Sequence, residues 1–131
     1  MNLCVECEYV SLDEIAELFE NQPNIFLENN FSSSEIEYCE SRKKKRLEHY
    51  AARLAVKKAF FKACHKDVSQ FSLNQIAVTR NSQNFPSLLV PTDLLNSLEI
   101  KTEDSIFISL AHEREMAVGY VMIIQKVPGT F

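Results

Sequence analysis

Glycine is nearly absent: Gly119 and Gly129 are the only two in 131 residues. A function that depends on a glycine-rich phosphate loop is therefore poorly served. No excess of positive charge exists either. The net charge is −4, so there is no global basic field, and nucleic acid is not an expected partner. No apolar run approaches membrane-spanning length. The first ten residues, MNLCVECEYV, carry Glu6 and Glu8 and lack a basic start, so they do not read as a signal peptide. The expected setting is cytoplasmic, with the four cysteines as thiols. There is no internal repeat and no low-complexity segment.

What is present is ordinary for a globular chain: 46% apolar and 24% charged residues, enough for one domain spanning residues 1–131 with a fair-sized core. The dominant stretch runs from Leu47 to His65, LEHYAARLAVKKAFFKACH. It lacks Pro and Gly and is rich in Ala, Leu, Lys and Arg, so it predicts one long helix. Leu47, Ala51, Leu54, Ala55 and Phe61 share one stripe of it, and Lys58 falls on the same stripe. An ammonium group among core positions needs an opposing charge. Arg53, Lys57, Phe60 and Cys64 line a neighbouring face, and Lys62 follows Lys58 by one turn. Two readings stay open for these cations: they point into a groove, or their stems pack and their ends reach water.

Residues 3–10 alternate with period two and predict a strand. Cys4 and Cys7 spell C-x-x-C, but on a strand they face opposite sides, and no second pair follows at zinc spacing. Ser11 to Glu14 has the capping-box pattern, followed by an apolar face of Ile15, Leu18 and Phe19 and an acidic one of Glu14, Glu17 and Glu20. Pro23 is expected to stop that helix. A second box, Ser32 to Glu35, opens a short helix through Ile36 and Cys39. The run Arg42–Arg46 is either a solvated turn or an anion site at the entrance to the long helix.

After a polar connector from Asp67 to Asn74, Ile76, Val78 and Arg80 suggest a strand. Asn81 to Pro86 reads as a turn, Ser87 to Val90 as a short strand, and Thr92 as the cap of a helix through Leu95 and Leu98. Ser105–Leu110 and Met116–Gln125 are strong strands, with His112 in the connection between them. A histidine there is either simply exposed or a catalytic or ligand-binding group. The mixed order, with strands clustered late, predicts an α+β fold.

Four segments together carry a resemblance. Residues 50–63, YAARLAVKKAFFKA, resemble a helix with the pattern R-F-A-x-K-E-A-x-x-K-A. Phe31–Cys39 is similar to F-T-x-x-E-x-x-Y-C. Asn84-Phe85-Pro86 stands at a G-x-P position, and Ser109-Leu110-Ala111-His112 at S-x-S-H. In this order and spacing, from about Leu3 to Lys126, they resemble the small holo-acyl-carrier-protein synthase type of phosphopantetheinyl transferase. The resemblance implies one long central helix packed on a small antiparallel sheet, and a homotrimer with coenzyme A bound between protomers. It implies transfer of 4′-phosphopantetheine from coenzyme A to a serine of an acyl carrier protein, usually with magnesium, in fatty-acid or polyketide biosynthesis. It also implies coenzyme A contacts from Arg53, Lys57, Lys62, Pro86, Ser109 and His112, and catalytic roles for Glu8, Lys58, Lys62 and His112.

The departures fall where that chemistry belongs. The first-strand G-x-D is Glu6-Cys7-Glu8, which puts Glu8 in the place of a metal-binding Asp. The K-E-A glutamate, the second metal ligand, is Lys58, and an ammonium cannot ligate a metal. The loop after the helix is His65-Lys66-Asp67-Val68, without glycine, and the first helix, basic in that family, is acidic. An ion pair between Glu8 and Lys58 is expected to stand in for the carboxylate–metal–carboxylate bridge. Three readings follow: transfer in which Lys58 and Lys62 neutralise the diphosphate, a catalytically lapsed relative that binds a carrier protein, or a trimeric binding subunit of a biosynthetic assembly.

Overall fold

The computed structural model describes residues 2–126. Its organising contact is a long helix laid across a three-stranded sheet. Strand β1 (Asn2–Ser11) leads into helices α1 (Leu12–Asn21), α2 (Pro23–Asn30) and α3 (Ser33–Ser41), then a 3-10 turn (Lys43–Lys45) and the long helix α4 (Arg46–Ala63). Strands β2 (Ala77–Arg80) and β3 (Pro86–Leu89), helix α5 (Thr92–Ser97), and strands β4 (Ser105–His112) and β5 (Met116–Gln125) follow. The sheet order is β1-β5-β4, antiparallel throughout, and β2 and β3 form a separate hairpin. This is the α+β architecture expected from the sequence.

Several local expectations are met and others corrected. Ser32 caps α3 with both arms of the box formed, its Oγ accepting from the Glu35 N–H at 3.3 Å and Glu35 accepting from the Ser32 N–H at 3.0 Å. Ser11 makes no such bond, because it still belongs to β1, and the next N–H, that of Leu12, donates to the Glu115 carbonyl. Pro23 ends α1 but also starts α2, where a missing N–H costs nothing at the first helical position. Thr92 lies just inside α5, after Pro91, and does not cap it.

Helix α4 is buried almost all round. Tyr50 through Lys57 have essentially no exposed surface, and Phe60 and Phe61 are fully enclosed. Phe19, Phe26, Phe31 and Tyr50 stack at centroid distances of 4.8–5.7 Å and join α1, α2 and the entry to α3 onto α4. Each such ring adds about 1.5–3 kcal/mol of burial. On the other side, β5 meets α4 at Gly119, where the strand comes up against the helix backbone at Ala55 and Val56.

The stripe argument for Lys58 fails here. Lys58 is half-buried, and it is Lys57, one residue earlier, that lies wholly inside. Its ammonium donates to Glu35 Oε1 at 2.6 Å, the Asn30 carbonyl at 2.7 Å and the Leu73 carbonyl at 3.0 Å. Burial pulls the Lys57 pKa down, and the Glu35 carboxylate opposes that pull.

Candidate functional site

Two groups of polar side chains flank α4, on opposite sides. Strand β4 turns its even residues toward the helix, so His112 lies beside the first turns of α4. The strand continues through His112 and so includes the position expected to be a connection. His112 Nδ1 is 3.0 Å from Glu48 Oε2, and the His49 ring stands edge-on to His112 at 5.0 Å. Glu48 thereby orients the His112 ring and leaves Nε2 for another partner. His49 is driven to a pKa of about 4 by burial and by the nearby Arg53, His112 and Arg42, so it is uncharged at neutral pH.

Arg53 stands at the centre of this group. It is only 5% exposed, yet among the described residues no carboxylate pairs with it. Its guanidinium lies over the Tyr38 ring at 4.3 Å, Nη1 donates to the His49 carbonyl at 3.3 Å, and Nε has no partner. A buried cation with an unused donor is costly unless an anion completes it. The opening is a cavity of about 80 Å³ bordered by Tyr38, His49, Arg53, Arg80, Pro86 and His112. Burial alone would raise the Tyr38 phenol, but Arg42 and Arg80 outweigh it and hold its pKa below the ordinary value. The pocket is therefore electropositive and short of a negative charge. The Arg42–Arg46 run borders it at one end: Arg42 stacks on Tyr38, Lys43–Lys45 are exposed, and Arg46 pairs with Glu40 at 2.7 Å.

Across the helix, β1 turns Glu6 and Glu8 inward on one face. Both reach the same ammonium, Lys62 Nζ, at 3.5 and 3.4 Å. Glu6 and Glu8 raise the Lys62 pKa. This corrects the expected Glu8–Lys58 pair: the partner is Lys62, one turn on, and Lys58 makes no ion pair among the described residues.

The structure thus brings Arg53, Pro86 and His112 together in one pocket, and Glu8 and Lys62 in another place, with Lys58 one turn before Lys62. It does not bring in Lys57, whose three N–H groups are committed inside the core, so an expected coenzyme A contact becomes a core strut. Nor does it bring in Ser109, which faces the opposite side of the sheet from His112. Sequence reasoning missed Glu48, Tyr38 and Arg80, whose partners in the pocket lie far along the chain, and His49, although it stands one turn before Arg53 on α4. A larger cleft of about 1080 Å³ lies at the other end of α4, between Asn2–Cys4, Ala63–His65 and Asn96–Lys101. It holds none of the expected site residues, and its Asp104 is already taken by the Lys101 and Lys126 N–H groups.

Comparisons with known proteins agree with this fold. A family model described as the 4′-phosphopantetheinyl transferase superfamily matches residues 8–121. A holo-[acyl-carrier-protein] synthase of Ruminiclostridium cellulolyticum is 31% identical over 124 residues, covering 94% of this chain and 92% of the relative. One from Cytophaga hutchinsonii is 38% identical over 100 residues, covering 74% and 78%. Among solved structures, the Chronobacterium ammoniagenes ACPS-CoA complex superposes with a TM-score of 0.83 at 21% identity, covering 97% of this chain and 100% of that one. The Helicobacter pylori holo-[acyl-carrier-protein] synthase in complex with coenzyme A gives 0.77 at 23%, covering 91% and 98%.

Proposed function

Because the chain belongs to the 4′-phosphopantetheinyl transferase superfamily, among the holo-acyl-carrier-protein synthases, we propose that it moves 4′-phosphopantetheine from coenzyme A to an acyl carrier protein serine. The carrier's serine oxygen bonds to the β-phosphorus of coenzyme A. The bond from that phosphorus to the bridging oxygen breaks, 3′,5′-ADP leaves with the electron pair, and the serine proton passes to the Glu8 carboxylate. Such a step is mostly positioning and charge neutralisation. We place that carrier in fatty-acid or polyketide synthesis.

The observation that carries this reading is Arg53, a buried guanidinium with an unpaired Nε, which lines a cavity of phosphate size. In this reading Arg53 and His112 receive the 3′-phosphate, with Arg80 and the Arg42–Arg46 run supplying further positive charge. Lys62 and Lys58 face the diphosphate.

These two subsites do not belong to one protomer's ligand. Arg53 and Lys62 are nine residues apart on α4, about 2.5 turns and roughly 13–14 Å, so they leave opposite sides of the helix. A coenzyme A molecule that uses both needs an Arg53 from one copy and a Lys62 from another. The outer face of the sheet favours such an assembly: Leu3, Val5, Tyr9, Phe107 and Tyr120 are all exposed there. In register, Val5, Met122 and Phe107 form one continuous row across the strands. We infer the homotrimer that the resemblance implies, closed through this face. Light scattering is expected to give three copies per particle; a monomer across micromolar concentrations would remove the shared pocket.

Mass spectrometry of apo-carrier proteins incubated with this protein and coenzyme A tests the transfer directly. The expected product is a carrier heavier by one phosphopantetheine. Calorimetry locates the 3′-phosphate. Arg53→Met is expected to weaken coenzyme A by about 10–100-fold but dephospho-coenzyme A only slightly, since a charge-assisted phosphate contact is lost. Binding to the parent is expected to weaken with salt. Equal losses for both ligands would move the 3′-phosphate elsewhere.

A further inference from the structure

We propose that the cation facing the coenzyme A diphosphate in this chain is built in: Lys58 and Lys62 replace a divalent ion, and Glu6 with Glu8 hold Lys62 in place. The inference rests on the coenzyme A reading above and assigns Glu6, which that reading leaves idle.

The donor set does not fit a resident divalent ion. Magnesium takes oxygen ligands in near-octahedral geometry, and at a phosphate site it needs one or two carboxylates beside the substrate. The resemblance implies one carboxylate from the first strand and one from the helix. Here the helix offers Lys58 and Lys62, and no carboxylate, to β1. Among the described residues, the carboxylates that reach this side of α4, Glu6 and Glu8, stand two residues apart on one strand face, and both already reach one ammonium. A divalent ion bound to them would have to displace Lys62 and then sit beside two ammonium groups, at a cost that grows as water is excluded.

The substitutions compensate one another. Glu6 occupies the glycine position of the strand motif, and Lys58 the glutamate position of the helix motif. The number of carboxylates is conserved, both now lie on the strand, and the helix has gained a positive charge. Glu6, Glu8, Lys58 and Lys62 sum to zero without any ion. Glu6 alone would be a poor replacement ligand, but as the second arm under Lys62 it has a clear use. The two carboxylate contacts, 3.4 and 3.5 Å long, are loose, and an ammonium has three donors. Lys62 is half exposed, and Lys58 has no ion-pair partner among the described residues. Both therefore have N–H groups to give to phosphate oxygens.

The test separates metal from nucleotide. Calorimetry of the parent with coenzyme A, in EDTA and then in magnesium, is expected to give dissociation constants within about two-fold of each other. In electron paramagnetic resonance, manganous ion mixed with parent and coenzyme A is expected to show no more bound metal than coenzyme A alone takes up. Lys58→Glu is expected to immobilise manganese and to make coenzyme A binding depend on it. Lys58→Gln guards against misfolding of that variant: it is expected to weaken coenzyme A in EDTA by roughly ten-fold without gaining metal binding. Overturning results are a parent that immobilises manganese with coenzyme A, a parent affinity that rises about ten-fold or more with magnesium, or a folded Lys58→Gln that binds as the parent does. No heat with coenzyme A under any condition is a different signature: it removes the coenzyme A reading and this inference with it.

Discussion

Lys57→Met is expected to lower the unfolding free energy by about 3–5 kcal/mol, and Glu35→Gln by a similar amount. The reason lies in how completely the pair is used. Both side chains are inaccessible to solvent. All three Lys57 donors are occupied, by Glu35, the last residue of α2 and the turn at Leu73. Glu35 Oε1 also accepts from the Ser32 N–H, and Oε2 accepts from the Val78 N–H at 2.9 Å. One ion pair therefore ties α2, α3, α4, the Leu73 turn and β2 together. Methionine fills the lysine's volume but leaves a buried carboxylate without its cation, takes the ammonium from the Asn30 carbonyl, and leaves the Leu73 carbonyl with the Ile76 N–H at 3.4 Å. Urea unfolding should show a lower midpoint at unchanged slope. In a double-mutant cycle, Lys57→Met with Glu35→Leu should cost much less than the two single changes added, because no stranded charge remains. The folded fraction of each variant should bind coenzyme A as the parent does, since Lys57 reaches no ligand. A cost below about 1 kcal/mol for either single change would show that the pair is a bystander.

That pair also shows where the sequence stops being legible. Ser32 and Glu35 are readable as a capping box because the bonds are local, and the box forms. Glu35's second task, holding Lys57, joins elements far apart in the chain, and no spacing rule announces it. The stripe rule picked Lys58 because it assumes a helix with one buried face. Helix α4 is packed on several sides, so nearly every position from Tyr50 to Phe61 is interior, and the rule loses its power to rank them. The motif order nevertheless fixed the architecture, and Arg53, Pro86 and His112 do meet in one pocket. Position 84 is legible in hindsight. Asn84 has φ 67°, a conformation glycine takes freely and asparagine tolerates, so an Asn-x-Pro serves the turn of a Gly-x-Pro. His65 meets the same demand with φ 59° just after α4, where the Lys66 N–H closes back on the Phe61 carbonyl. Ser109 does not join the Arg53 pocket because strand alternation sends it to the face opposite His112. A motif read as a string does not distinguish the two faces.

Gly119→Ala is expected to be the most damaging single change in the molecule, costing more than about 3 kcal/mol or preventing folding altogether. A methyl group there would lie 2.3 Å from the Val56 nitrogen, 2.6 Å from the Ala55 carbonyl carbon and 2.7 Å from Val56 Cα. These are backbone atoms of α4, so no rotamer change relieves the overlap. The helix itself must lift from β5. Lifting it loosens a core that includes Ala55, Val56, Ala59, Phe60 and Val121. It also opens both subsites, because in the sheet register Gly119 lies between Glu8 on β1 and Leu110 on β4. Trimming a helix side chain should not help: Gly119→Ala with Val56→Ala is expected to be no more stable than Gly119→Ala alone. Thermal melts of the three variants check this. If enough of the single variant folds to assay, its coenzyme A affinity should fall as well, since α4 carries Lys62 away from Glu6 and Glu8 and Arg53 away from His112. A Gly119→Ala protein that melts with the parent would mean that α4 does not seat against this glycine, and the placement of both subsites relative to the sheet would fall with it.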